Sequence, residues 1–111
     1  MSSKEILNVI VEGVNSKAEI AKELATWDKV IQFKLPDASS YYLQISGGKF
    51  TLSDGEKVPA AATISAADAV LTEIFTGATD PVKAFLQGKV KISGDIFGAQ
   101  KLTGIISKYR K

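Results

Sequence analysis

The sequence predicts an α+β fold, a five-stranded and mainly antiparallel sheet covered by helices, on three observations. The hydrophobic period is helical near the start, becomes two from Asp28 to about Ser65, and turns helical again from Asp68. Turn residues cluster at Pro36 to Ser40, Gly47-Gly48 and Asp54-Gly55, where a meander needs them. A short late stretch, Val90 and Ile92 alternating with Lys89, Lys91 and Ser93, returns to period two before a final helical pattern. Helices gathered against one face of an antiparallel sheet form a layered architecture with one core between the layers.

Taken in order, the elements justify themselves locally. Ser2-Ser3-Lys4-Glu5 is a capping-box pattern followed by Ile6, Leu7, Ile10 and Val14 at helical spacing. After a break near Asn15, Ser16-Lys17-Ala18-Glu19 repeats the device before Ile20 and Leu24. Ile31, Phe33 and Leu35 then share one strand face while Gln32 and Lys34 point the other way, which predicts a half-buried strand. Tyr41, Leu43 and Ile45 form the second strand, Lys49 to Leu52 the third, and Ala61 to Ser65 the fourth.

Ser65-Ala66-Ala67-Asp68 reads as a capping box with Asp in place of Glu, ahead of a stripe of Ala67, Val70, Leu71, Ile74 and Phe75 that stops at Gly77. Asp80-Pro81 is an N-cap with Pro at the first helical position, and Val82, Phe85 and Leu86 are expected to face inward until Gly88. Gly94-Asp95 precedes a last helix carrying Ala99, Leu102, Ile105, Ile106 and Tyr109. Gly98 and Gly104 inside that helix each cost about 1 kcal/mol relative to Ala, so either another backbone packs close there or space is being left. The layout is two helices, four strands, two helices, a strand and a helix.

Composition narrows the chemistry. The 111 residues suit one domain spanning 1–111, and 45% hydrophobic residues exclude global disorder. With neither Cys nor His, thiolate chemistry, disulfides and the commonest general base and metal ligand are absent. Asp80 and Asp95 read as helix N-caps and Asp68 as a first-turn acid, so no catalytic carboxylate pair is visible. We therefore expect a binding protein and not an enzyme, with no cofactor, metal or catalytic residue.

Residues 1–77 carry net charge −3 and residues 78–111 carry +5. A basic third suits transient contact with an anionic membrane, although each lysine alone is more often a solvated surface charge. The tail Lys108 to Lys111 has the same two readings, solvated terminus or part of a final-helix lid. One Arg and no basic-aromatic ladder argue against nucleic acid as a partner. Apolar runs are far shorter than the roughly 20 residues that span a bilayer, and Met1 to Glu5 lacks a signal-peptide pattern, so the expected location is cytoplasmic.

From Thr63 onward the residues resemble a known family. Thr63-Ile64, Asp68, Thr76-Gly77, Asp80-Pro81, Ala84-Phe85-Leu86-Gln87-Gly88-Lys89, Lys91-Ile92-Ser93-Gly94-Asp95 and Lys101-Leu102 occur in the order and close spacing of the sterol carrier protein type-two, or nonspecific lipid-transfer, domain family. The resemblance covers roughly the C-terminal third plus the order of elements before it. It implies an apolar tunnel between sheet and helices that takes a long-chain lipid: fatty acid, fatty acyl-CoA, sterol or phospholipid. It also implies either a carrier or a module that presents lipid substrates to a lipid-metabolising partner enzyme.

By pattern, Phe33, Ile74, Phe75, Phe85, Ile92, Phe97, Leu102, Ile105 and Ile106 face the core and are the candidate ligand-binding residues. Gln100 joins them because the resemblance places a tunnel-facing Gln there; a surface amide is its other reading. Val82 stands where several relatives carry Gln after Pro, which suggests a more apolar wall. An empty pocket of about 300 Å³ would cost roughly 7 kcal/mol at about 24 cal/mol per Å³. That rivals the whole stability of a domain, about 5–15 kcal/mol, so an unfilled tunnel should shrink, take water or retain a lipid.

Overall fold

A computed structural model describes residues 2–109, with the side chain of Tyr109 outside the description. The elements are α1 (Ser3–Asn15), α2 (Ala18–Glu23), β1 (Lys29–Lys34), β2 (Tyr41–Ser46), β3 (Lys49–Asp54), β4 (Ala62–Ser65), α3 (Asp68–Thr76), α4 (Pro81–Leu86), β5 (Lys91–Gly94) and α5 (Ile96–Tyr109). Their order follows the hydrophobic periods. The expected tail residues Arg110 and Lys111 lie outside the described residues.

The sheet order is β3-β2-β1-β4-β5. Three neighbouring pairs are antiparallel and one, β1 with β4, is parallel. The meander β1-β2-β3 grows outward, and the chain then returns past it to lay β4 on the opposite edge of β1. Register builds apolar rows across one face. Tyr41 pairs with Phe33, Phe33 with Ile64 and Ile64 with Ile92, while Leu52, Leu43, Ile31 and Ala62 form the next row.

Helix α1 lies against α3, β3, α2 and α5, and α5 against β4 and β5. The helical layer buries Leu7, Ile10, Val11 and Val14 from α1 and Leu102, Ile105 and Ile106 from α5 in one core cluster with the sheet rows. A polar knot ties α1 into this core. Ser3 is buried; its hydroxyl donates to Asp68 Oδ1 at 2.6 Å and lies 2.8 Å from Tyr41 Oη, so the tyrosine hydroxyl donates to Ser3 Oγ. Burial pushes the Tyr41 hydroxyl well above the usual tyrosine range.

Local expectations differ from the structure at three places. The capping box at Ser2 and Glu5 forms in full. The one at Ser16 does not: its hydroxyl donates to Gly13 O at 2.7 Å, closing α1, and α2 starts at Lys17 without a side-chain cap. The Ser65–Asp68 box is also absent, because Ala67 is the N-cap and Asp68 is turned to Ser3 of α1. A long-range partner won over a local one.

Gln32, expected on an exposed strand face, is buried at 3% exposure. The segment after β3 folds over it. Gln32 Nε2 donates to Tyr41 O and Gly55 O, each at 3.0 Å, and its Oε1 accepts from Lys57 N–H at 2.9 Å. The amide thus fastens the crossing segment to the sheet. Gly94, at φ 86°, ends β5 where a Cβ would come within 2.5 Å of Ala61 O, so only glycine lets the chain turn into α5 there.

Candidate functional site

Three helices close unevenly over the row Phe33, Ile64, Ile92. Helix α3 presents Leu71, Ile74 and Phe75 inward at helical spacing and ends at Gly77, whose φ of 84° is left-handed. Helix α4 is capped by Asp80, whose carboxylate accepts from Val82 N–H at 2.9 Å, and starts on Pro81. It is under two turns long and buries only Ala84. It therefore covers the sheet loosely.

The start of α5 is held by charge. Asp95 accepts from Gly98 N–H at 2.9 Å and pairs with Lys29 of β1. The Lys29 hydrogen bond, then the Gly98 N–H, hold the Asp95 carboxyl below the usual carboxylate range. Lys29 and Lys101 lie 4.9 and 4.8 Å from the centre of the Trp27 ring. Gly98 belongs here: a Cβ would sit 2.5 Å from Asp95 Oδ2 and 3.3 Å from Lys29 Nζ. Gly104 meets nothing within 4 Å, so the two glycines have opposite surroundings.

Between these elements lies an apolar pocket of about 60 Å³. Its floor is Phe33, Ile64 and Ile92, with Val90 beside them; α3 supplies Leu71, Ile74 and Phe75; α4 supplies Pro81, Val82 and Phe85; α5 supplies Ile96, Gln100 and Thr103. Phe33 stacks on Tyr41 at 5.1 Å and meets Phe75 edge-on at 6.0 Å, which fills the inner end. Thr103 donates its hydroxyl to Gln100 O at 2.9 Å. Gln100 is exposed at the rim, and its side-chain amide has no hydrogen bond among the described residues.

The implied tunnel is not a through-going channel in this structure. The pocket is short, about 60 Å³, and Phe33 and Phe75 pack against each other at its inner end. A wider groove of about 580 Å³ opens near Lys34, Ser65, Lys89 and Lys91. Charge and open access make it unsuited to an alkyl chain. The smaller, apolar pocket is the better candidate.

Of the ten sequence candidates, Phe33, Ile74, Phe75, Phe85, Ile92 and Gln100 meet in this pocket. Leu102, Ile105 and Ile106 are buried in the core and do not line it. Phe97 corrects the reading: it is 84% exposed and faces away from the core. At about 100° per residue, Phe97 lies some 200° from Ala99 at the head of the buried α5 stripe, so the helical angle alone should have turned it outward. Val82 and Leu86, expected to face inward, are exposed as well.

The pocket also gathers residues the sequence reading left out, among them Ile64, Leu71, Val90, Ile96 and Thr103. Signals for them existed. Ile64 sits on the same strand face as its partner Ile92, and Ile96, Gln100 and Thr103 follow the i, i+4, i+7 stripe.

A mixed sheet of this strand order, with a helical layer on one face and an apolar pocket beneath it, defines a sterol-carrier type of α+β fold. The chain belongs to the SCP-2 sterol transfer family, whose pattern matches residues 7–107. It is 33% identical over 81 residues to Sterol carrier protein 2 of Gallus gallus, covering 68% of this chain and 15% of that protein. It is 30% identical over 108 residues to Hydroxysteroid dehydrogenase-like protein 2 of Xenopus tropicalis, covering 95% of this chain and 25% of that protein. The chain therefore spans a quarter or less of the length of these relatives. Among solved structures, palmitated SCP2L2 from Aedes aegypti shares the fold with a TM-score of 0.79 at 19% identity, over 100% of this chain and 99% of that one.

Proposed function

We propose that the chain binds and carries a long-chain lipid, its acyl or sterol body held in the pocket between the sheet and α3, α4 and α5. The supporting observation is the lining: apolar on every element, with Gln100 and Thr103 as the polar side chains and no carboxylate, lysine or arginine among them. Such a surface gains from removing hydrocarbon from water and offers no group to transform it. Family membership and the palmitated neighbour of the same fold support the reading. Fatty acid, fatty acyl-CoA, sterol and phospholipid are the candidate ligands, and the protein is read as a non-enzymic cytoplasmic carrier. No helix among the described residues is long and apolar enough to cross a membrane.

Lipid sites usually exceed about 300 Å³, so a lipid must widen this pocket. The loosely held wall is α4, and an outward shift of Val82 and Phe85 is the least costly way to open it. Native mass spectrometry with lipid extraction, followed by thermal unfolding with palmitate or an acyl-CoA, tests the proposal. Ligand at 100 times Kd should stabilise by about 2.7 kcal/mol and raise Tm. An unchanged Tm across saturating acyl ligands, with no co-purified lipid, overturns it.

A second reading is that the module presents lipid to a lipid-metabolising enzyme. The Xenopus relative favours it, since this chain matches only 25% of a protein named for a dehydrogenase. Presentation predicts that lipid-loaded protein raises the kcat/KM of such an enzyme above that seen with the same lipid in vesicles.

A further inference from the structure

The pocket has one fixed wall and one loose wall. At the inner end Phe33 and Phe75 meet edge-on, and Tyr41, which does not line the pocket, stacks behind Phe33; each of the three is 1% exposed. In a close-packed interior such rings have no free space into which to turn.

Hydrogen bonds reinforce this wall. The Tyr41 hydroxyl donates to Ser3 Oγ at 2.8 Å, and the hydroxyl and backbone N–H of Ser3 both donate to Asp68 Oδ1, at 2.6 and 3.1 Å. Asp68 N–H is held in turn by Asp37 Oδ1 at 3.0 Å. Asp68 opens α3, and Phe75 follows seven residues later on the same face of that helix. The knot therefore ties α1 and β2 to the start of the helix that carries Phe75.

The opposite wall has no such ties. Helix α4 buries only Ala84, while Val82 and Phe85, which line the pocket, are 58% and 39% exposed. A hydrocarbon chain can thus make room sideways, toward α4, but not inward. Its polar head stays at the rim, because the inner end presents aromatic carbon and the Tyr41 hydroxyl is already engaged.

We propose that Phe75, backed by Phe33 and Tyr41, is a stop that sets how far a chain enters tail-first, so that the pocket selects single-chain acyl ligands by length. This deepens the carrier reading and rests on it. Each methylene buried short of the stop should tighten binding by about fourfold, and each one left at the mouth should add little.

Calorimetric titration with saturated fatty acids from octanoate to stearate, each below its micelle concentration, tests the stop. In the wild type, affinity should climb with length and then level to within roughly twofold per added pair of methylenes, against more than about tenfold per pair on the rising part. Phe75→Ala should move the levelling point to longer acids and tighten stearate by roughly tenfold or more, with octanoate within about threefold of wild type. Phe75→Leu, a milder change in case the alanine variant does not fold, should move it the same way by less. Leu7→Ala, which removes a buried side chain that does not line the pocket, should lower stability and leave the length profile unchanged.

The stop is overturned if wild-type affinity keeps climbing through stearate, if the folded Phe75 variants keep the wild-type profile, or if Leu7→Ala shifts it as far. Wild-type levelling that the Phe75 variants do not move removes the stop and leaves the carrier. Absence of binding at every length removes both.

Discussion

The two ends of the chain use the same kind of residue in opposite ways. Helix α1 buries Leu7, Ile10, Val11 and Val14 and secures its first turn through Ser3, Tyr41 and Asp68. Helix α4 and the first turn of α5 leave Val82, Phe85, Leu86, Ile96 and Phe97 in solvent. Buried apolar area stabilises, so the first region serves mainly to hold the fold. Exposed apolar area beside a pocket contributes little to stability and is available to a ligand or a surface. Stability and binding are thus assigned to different helices over one sheet.

The largest test compares Leu7→Ala with Phe75→Ala. Each removes a fully buried side chain and should lower stability by about 2–5 kcal/mol in urea unfolding. Added palmitate should narrow the loss only for Phe75→Ala, because that cavity joins the pocket and the lipid fills it. Equal rescue of both would erase the distinction between core and pocket.

Smaller effects sharpen it. Ser3→Ala leaves Asp68 and the Tyr41 hydroxyl short of a partner and should cost about 1–3 kcal/mol. At the rim, Gln100→Ala should stay within about 0.5 kcal/mol, since its amide bonds to no described group. If Gln100→Ala cost as much, the rim would be part of the structural core.

Acid should probe both regions through one carboxylate each. Glu5 lies below its ordinary range because the Ser2 backbone N–H and hydroxyl favour its anion, and Asp95 because Lys29 and Gly98 do. A pKa lowered on folding means the unfolded state binds more protons, so this stability is complete only above about pH 5 and is lost as pH falls through the ordinary carboxylate range toward the depressed values. Asp95→Asn should reduce stability at pH 7 and flatten part of that acid slope. Glu5→Gln should do the same independently, because the two sites share no partner.

The smallest effect is the sharpest contrast. Leu86→Ala and Phe97→Ala should each change unfolding free energy by no more than about 0.5 kcal/mol, although Leu7→Ala removes the same chemistry at several times that cost. A loss of several kcal/mol at Leu86 would mean that the α4 face packs in solution.

Much of this was legible from residue order. The changes of period placed all ten elements, and the Ser2 and Asp80 caps formed as the side chains require. Six candidate residues meet in the pocket because strand alternation and helix spacing aim them at one sheet face. Phe97 failed because it was taken as inward on its apolar character alone, without its angle around the helix. Gln32 and Asp68 failed for another reason: Gly55, Lys57 and Ser3, which decide their surroundings, are 23, 25 and 65 residues away.

The sequence by itself determined the α+β class, the order of its elements and the basic character of the C-terminal third. These follow from periodicity and capping, which act over a few residues. Only the tertiary structure decided that β4 runs parallel to β1, that the pocket closes to about 60 Å³ around Phe33 and Phe75, and that the α4 apolar face stays uncovered. The physical reason is one of range. A hydrophobic stripe specifies that a surface should leave water, but long-range strand pairing and the packing of other helices determine whether anything is there to cover it.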